Sequence, residues 1–195
     1  IKYAERVGNH YYKSKLGEDQ DYCIYIDTDS LFFSALPLIQ KNDISVDIND
    51  HDKMVELTLR ECEKFQDHIN TSMDMFAKRM INLDEHRFVF KQEVIAPNGI
   101  FISKKRYSLW IIDQEGIRVD ELLVKGIDIV RSNFPKSFKV LLTDVITGLL
   151  KGEEKNTIDD IVISFKRNMK DELIEDIAMS TGVKQIKKFI GPGYT

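Results

Sequence analysis

The 195-residue chain reads as an α+β protein: an antiparallel sheet packed with a long helix, followed by a helical segment. Three observations point there. Short runs of β-branched and aromatic residues, broken by acidic or glycine-containing turns, occupy residues 22–33 and 87–124. Between them, residues 52–82 carry apolar side chains at steps of three and four. Beyond Pro135 the helical spacing returns and no further strand pattern follows.

In chain order, Tyr3, Val7 and Tyr11 repeat at four-residue steps, so residues 1–16 read as a helix ended by Gly17. The chain opens inside this element, without the Met and cap of a natural start, which points to a piece of a longer polypeptide. Tyr22 to Ile26 and Leu31 to Phe33 flank an acidic turn and read as a hairpin. A polar loop is expected from Gln40 to Asp52. The long helix then presents Val55, Leu59, Cys62, Phe65, Ile69, Met73, Phe76 and Met80 on one face, which makes them core. Residues 88–95 read as a strand, and Pro97-Asn98-Gly99 and Gln114-Glu115-Gly116 as turns. Phe138, Leu141, Leu142, Val145, Ile146 and Leu149 mark one late helix, ended near Gly152. Ile158, Ile161, Val162, Phe165 and Met169 mark a second, with Thr157 as its cap. Gly191-Pro-Gly193 reads as a chain break.

No run of about 18 apolar residues and no charged-then-apolar leader is present, so a membrane-spanning or secreted protein is not expected and the cytoplasm is. Cys23 and Cys62 have apolar neighbours and no zinc-ligand spacing, which suits buried reduced thiols. The net charge of −4 argues against a nucleic-acid partner until its distribution is considered. Residues 1–100 carry 18 acidic against 12 basic side chains, residues 101–150 carry 6 against 8, and residues 151–195 carry 8 of each. An acidic body with a local basic strip suits a metal site on one side and a polyanion grip on the other.

Two motifs carry the chemistry. Tyr25-Ile26-Asp27-Thr28-Asp29-Ser30 holds two carboxylates, one residue apart, at a hairpin tip. A bare D-x-D is also what an ordinary acidic turn looks like. As a ligand pair it suits a hard cation such as Mg²⁺, which takes one or two carboxylates plus substrate phosphates; two such ions about 3.5–4 Å apart clamp an in-line phosphoryl displacement. Lys104-Lys105-Arg106-Tyr107 lies between strand-like segments, where it reads either as a solvated run or as cations set on a rigid strand against phosphates.

The hexapeptide resembles motif C of the family B DNA polymerases, usually written YxDTDS, with Ile26 where many members carry a small residue. The basic run is similar to the KKRY motif of the same family, about 75 residues further on, as members of the T-even phage type have it. Phe88-Val-Phe-Lys-Gln-Glu-Val-Ile95 resembles the strand that brings a third carboxylate beside the site, here Glu93, although a lone Glu on a strand also reads as solvated. Lys125-Gly-Ile-Asp-Ile-Val-Arg-Ser-Asn-Phe-Pro135 resembles the family's junction between palm and thumb.

The resemblance implies a partial palm over residues 1–126 and a partial thumb over residues 127–195 of a replicative, template-directed DNA polymerase. It implies that Asp29 is the essential metal ligand, Asp27 a peripheral one and Glu93 a third carboxylate beside the metal site, with two Mg²⁺ ions in the complete enzyme. Lys105 is expected at the minor-groove edge of the primer-terminal pair, where readout is nearly sequence-blind. Lys104, Arg106 and Tyr107 are expected on phosphates and the primer end, Lys125 and Arg131 on duplex phosphates, and Gly126 in a tight turn. The implied partners are primer-template DNA, deoxynucleoside triphosphates and a sliding clamp, in the host-cell cytoplasm if the source is viral. The family's D-x-x-S-L-Y-P-S and Asn-Ser-x-Tyr-Gly motifs do not occur in these residues, so the chain alone is expected to be inactive. Two other readings compete. Asp27-Thr-Asp29-Ser-Leu31 overlaps the D-x-D-x-T/V signature of haloacid-dehalogenase-like phosphatases, with Leu31 in place of Thr or Val and with Asp159-Asp160 opening a helix rather than closing a strand. A non-catalytic duplex-binding module is the other.

Overall fold

The computed structural model describes residues 1–182 and residue 184, so the expected break at Gly191-Pro-Gly193 lies outside the described residues. Helix α1 (Lys2–Leu16) ends where Gly17 takes a left-handed φ of 83° and its N–H reaches the Lys13 carbonyl. It turns Ala4, Gly8, Tyr11 and Tyr12 inward, and at Gly8 it lies so close to Phe33 that a Cβ there would meet the ring at 2.5 Å. β1 (Cys23–Ile26) and β2 (Leu31–Phe33) pair antiparallel, Tyr25 opposite Phe32 and Ile26 opposite Leu31. The Asp27 N–H closes the turn on the Ser30 carbonyl at 3.0 Å.

Part of the expected polar loop is helix α2 (Leu36–Asn42). Pro37 suits its first turn, and Leu38 packs against Tyr11, Tyr12 and Tyr22. One apolar turn is too short for a periodic signal, and burial decides it. Helix α3 (His51–Met80) is capped by the Asp50 carboxylate, which accepts from the Lys53 N–H at 2.9 Å. Of the face expected to be core, Val55, Ile69 and Met73 are buried and Leu59, Cys62, Phe65 and Phe76 are half-buried. Met80, in the last turn, is 70% exposed because the helix outruns what it packs on.

The second sheet is built on β5 (Arg106–Gln114). β3 (Val94–Ile95) and β4 (Asn98–Ser103) pair with successive stretches of it, and β6 (Ile117–Lys125) pairs along most of its length, all antiparallel. The β5–β6 turn is Glu115-Gly116, with φ of 51° and 83°, the pair of positive values that a two-residue hairpin turn favours. Both faces of β5 are covered. Ile112 packs with Val55 of α3, while Tyr107, Leu109 and Ile111 form a cluster with Tyr25 and Phe32 of the first hairpin.

Residues 88–93 are not the strand expected; only Val94–Ile95 pairs. Side chains of α3 take the place of a strand partner. The Asn70 amide bonds both the N–H and the carbonyl of Phe90, at 2.8 and 3.0 Å, and the Gln66 carbonyl oxygen accepts from the Gln92 N–H at 2.9 Å.

A 3₁₀ turn (Asp128–Val130) leads to α4 (Lys136–Lys151), ended by Gly152 at φ 74°. Here Leu150, not Leu149, is the buried residue of the last turn. Its carbonyl accepts from the Asn98 amide at 2.8 Å, and the Lys151 ammonium lies 4.0 Å from the centre of the Trp110 ring, so α4 is fastened to the sheet. α5 (Lys155–Asn168) starts before Thr157, which sits in its first turn rather than at its cap, and Glu154 takes that place. Phe138 and Phe165 meet edge to face at 5.1 Å between α4 and α5, and a short α6 (Ile174–Ile177) follows. The sheets and helices make the chain α+β. Among the described residues no helix is long and apolar enough to cross a membrane.

The two sheets meet chiefly through aromatic rings, which sets a stability test. Phe32→Ala should lower unfolding free energy by about 2–3 kcal/mol, less than a fully buried Phe because the ring is half-buried. Ile44→Ala, at a side chain 92% exposed, should change it by no more than ~0.5 kcal/mol. Urea titrations of both variants check this, and equal midpoints would remove the rings from their structural role.

Candidate active site and nucleic-acid interface

Tyr25, Phe32, Phe101 and Tyr107 form a tetrad in which every pair of rings touches, with centroids 5.0–5.9 Å apart. Alternation puts them there. Tyr25 and Phe32 are cross-strand partners in the first hairpin, and Phe101 and Tyr107 are cross-strand partners in the second sheet. Each hairpin carries a functional turn two or three residues beyond its tetrad pair, so joining the rings joins the turns.

The first turn is Asp27-Thr28-Asp29-Ser30. Asp27 is half-buried, and its Oδ1 accepts from the Thr28 N–H at 2.8 Å and, more weakly, from the Thr28 hydroxyl at 3.4 Å. Asp29 is exposed and receives one long contact, from the Ser30 hydroxyl at 3.4 Å. Asp29 therefore keeps the freer carboxylate. Glu93 is exposed and precedes β3; its own carbonyl accepts from the Glu115 N–H at 2.8 Å.

The Tyr107 hydroxyl registers all three acids. Burial pushes its pKa up first, and the charges of Asp27, the neighbouring Tyr25, Glu93 and Asp29 push it further. The donors around it are oxygens, the type a hard cation such as Mg²⁺ takes, and a pair of turn carboxylates is the number such an ion uses when substrate phosphates complete its shell. Among the described residues, no three His, Cys, Asp or Glu side chains come together as a metal-binding group, so the protein offers the turn pair and Glu93 stands apart.

The second turn corrects the sequence expectation. Lys104 and Lys105 are not on a strand; they are the two-residue turn between β4 and β5, closed by the Ser103–Arg106 pair, with Lys105 at φ 63°. Only Arg106 and Tyr107 of the motif lie on β5. The Tyr107 ring is core at 5% exposure rather than an open platform. The Lys105 N–H donates to the Tyr25 hydroxyl at 2.6 Å, a bond from the strand of the acidic turn to the tip of the basic one. On the other side Gly126, at φ 64°, is pressed against the Lys105 carbonyl so closely that no Cβ fits there, which is the tight turn expected of it.

Gly126 brings the rest of the basic strip alongside. Lys125 is exposed and pairs in register with Tyr107. Asp128 accepts from Arg106 at 3.3 Å and forms an ion pair with Arg131 at 3.1 Å, so both arginines converge on one carboxylate. Lys104, Lys105 and Lys125 have no ion-pair partner among the described residues. Sequence reasoning missed Tyr25 as an anchor and Asp128 as a shared acceptor. The i, i+3 spacing of Asp128 and Arg131 was a usable signal, whereas nothing local announces a bond between residues 80 apart.

Cys23 and Cys62 are free and partly buried, and burial raises both thiols to about 11, so both are protonated at neutral pH and belong to the packing. Asp159 and Asp160 lie within α5, where they close no phosphatase site.

No curated protein matches the chain. The family model for DNA polymerase family B matches residues 4–190, which takes in both turns, the Lys125-Gly126 junction and the helices that follow. With nearly its whole length matched, and with the two motifs the family is known by held against one another by a shared aromatic cluster, the chain belongs to DNA polymerase family B.

Proposed function

We propose that this chain is the part of a template-directed, T-even-phage-like replicative polymerase that presents the primer end to the catalytic metals, with residues 1–126 belonging to the palm and residues 127–195 beginning the thumb. The observation that carries the reading is the bond from the Lys105 N–H to the Tyr25 hydroxyl, with the tetrad beneath it. It ties a pair of metal-type carboxylates to a turn of free cations, and extending a primer requires both at one place.

In this reading Asp29 and Asp27 hold Mg²⁺, with Asp29 the main ligand because its carboxylate is the less engaged. When bound, the ions supply charge neutralisation for the attack of the primer 3′-hydroxyl on the α-phosphate of a deoxynucleotide. Glu93 adds negative field beside the pair. Lys105 faces the minor groove at the primer terminus, and Lys104, Lys125, Arg106 and Arg131 grip duplex phosphates. Tyr107 meets the primer end through its hydroxyl, since its ring is packed away. A sliding clamp and a cytoplasmic site of action, in a host cell if the source is viral, complete the proposal.

Three outcomes are expected. The 195-residue chain alone should not extend a primer, because no D-x-x-S-L-Y-P-S or Asn-Ser-x-Tyr-Gly motif is present to complete the metal pair or hold the triphosphate. Template-dependent incorporation of a labelled nucleotide by the purified chain would contradict that. In a polymerase containing this segment, Asp29→Ala should reduce single-turnover incorporation by at least ~10²–10³, the scale on which one electrostatic group acts, while Asp27→Ala should cost less. Small and equal effects would defeat the assignment. Replacing Lys104, Lys105 and Lys125 together by Ala should weaken primer-template binding by this chain and lower the log–log salt slope by about 0.9 per lost phosphate contact. Removing Lys155, Lys166 and Lys170 from α5 and its end takes away the same charge, and identical binding curves for the two triple variants would leave the basic turn a solvated run.

A further inference from the structure

Asp128 sits among cations that the proposed function assigns to phosphates. It is the first residue of the 3₁₀ turn that follows Gly126, and the left-handed backbone at Gly126 passes directly against the Lys105 carbonyl and the Arg106 side chain. Two arginines from different elements reach it: Arg106 from the start of β5, through Nη2, and Arg131 from the far end of the turn, through Nη1. A carboxylate facing a polyanion is repelled by it, so on charge alone Asp128 is a liability in a duplex grip.

The geometry answers that objection. Each guanidinium uses one terminal nitrogen on Asp128 and retains its remaining N–H donors in a fixed, planar fork. Free arginines on a strand end and on a loop would sample many rotamers, and ordering both on binding costs entropy. We infer that Asp128 is a positioning residue that pre-orders Arg106 and Arg131 as a pair of phosphate clamps, while Lys104, Lys105 and Lys125 supply the unpaired charge. The inference rests on the reading of this strip as a duplex grip.

Positioning and plain charge predict opposite signs for one substitution. Binding of a fluorescein-labelled primer-template duplex to the 195-residue chain, followed by anisotropy over a range of salt, is the measurement. Asp128→Asn should weaken binding roughly three- to tenfold, the size expected for losing two exposed, orienting ion pairs, and should flatten the salt slope although it removes a negative charge. Asp128→Glu, which keeps the carboxylate, should stay within about twofold of wild type. In a chain carrying Arg106→Ala and Arg131→Ala, where nothing is left to orient, Asp128→Asn should instead tighten binding. That reversal of sign is an effect no general structural role produces.

Tighter or unchanged binding by Asp128→Asn in the otherwise native chain would overturn the inference and leave the duplex grip standing. Loss of the wild-type circular dichroism spectrum in that variant would make Asp128 a structural residue and overturn it too. If the native chain shows no salt-dependent duplex binding, or binding indifferent to Lys104, Lys105 and Lys125, the grip itself fails and the inference falls with it.

Discussion

Mutual packing of Tyr25, Phe32, Phe101 and Tyr107 is the constraint on which the arrangement of the site depends. The two sheets share no strand pairing, and the first is only a two-stranded hairpin, which is marginal by itself. Its position relative to β4 and β5 is set by rings at 5.0–5.7 Å, in the tilted and edge-to-face geometries that aromatic quadrupoles favour. The alternation of strand side chains then fixes where the turns fall. Tyr25 and Phe101 each stand a few residues from a hairpin tip, so bringing the rings together brings an acidic tip beside a basic one. The bond from the Lys105 N–H to the Tyr25 hydroxyl registers that juxtaposition to a single atom pair.

Such an arrangement reconciles an acidic protein with a polyanionic partner. Carboxylates and cations occupy neighbouring but separate turns, joined by an aromatic block. The Tyr107 phenol feels Asp27, Glu93 and Asp29, while Lys104 and Lys105 stand exposed. A metal site needs its acids close enough to share an ion, and a duplex needs cations spread along its backbone. Two turns of different composition on one rigid support satisfy both demands. Gly126 extends the basic side, because its missing side chain lets the chain after β6 pass directly against the Lys105 carbonyl and deliver Asp128 between Arg106 and Arg131.

Several expectations failed where burial overrode local pattern. Residues 88–93 have strand composition, yet they pair with amide side chains of α3 because β5 offers an edge only as far as β3. Residues 40–42, expected to open a polar loop, instead end helix α2, which forms by burying Leu38 and Ile39. Met80 keeps the right spacing but sits at a helix end that reaches past its support, and in the last turn of α4 it is Leu150, not Leu149, that faces the sheet. Thr157 has cap chemistry, but after the reversal at Gly152 the cap falls three residues earlier, at Glu154.

What the sequence determined by itself is therefore the inventory and its local settings. The α+β class, the long helix, the first hairpin with its acidic turn, and the glycine turns at Gly17, Gly116 and Gly152 follow from periodicity and turn chemistry, which act within a few residues, whereas Lys104-Lys105 reads as strand and is a turn. What only the tertiary structure decided is which of those settings meet. The ring contacts between the sheets, the Tyr25–Lys105 bond and the Arg106–Asp128 pair join residues 22 to 82 apart. Contacts of that kind depend on how two sheets pack, and packing is a property of summed shape and burial that no single stretch of chain encodes.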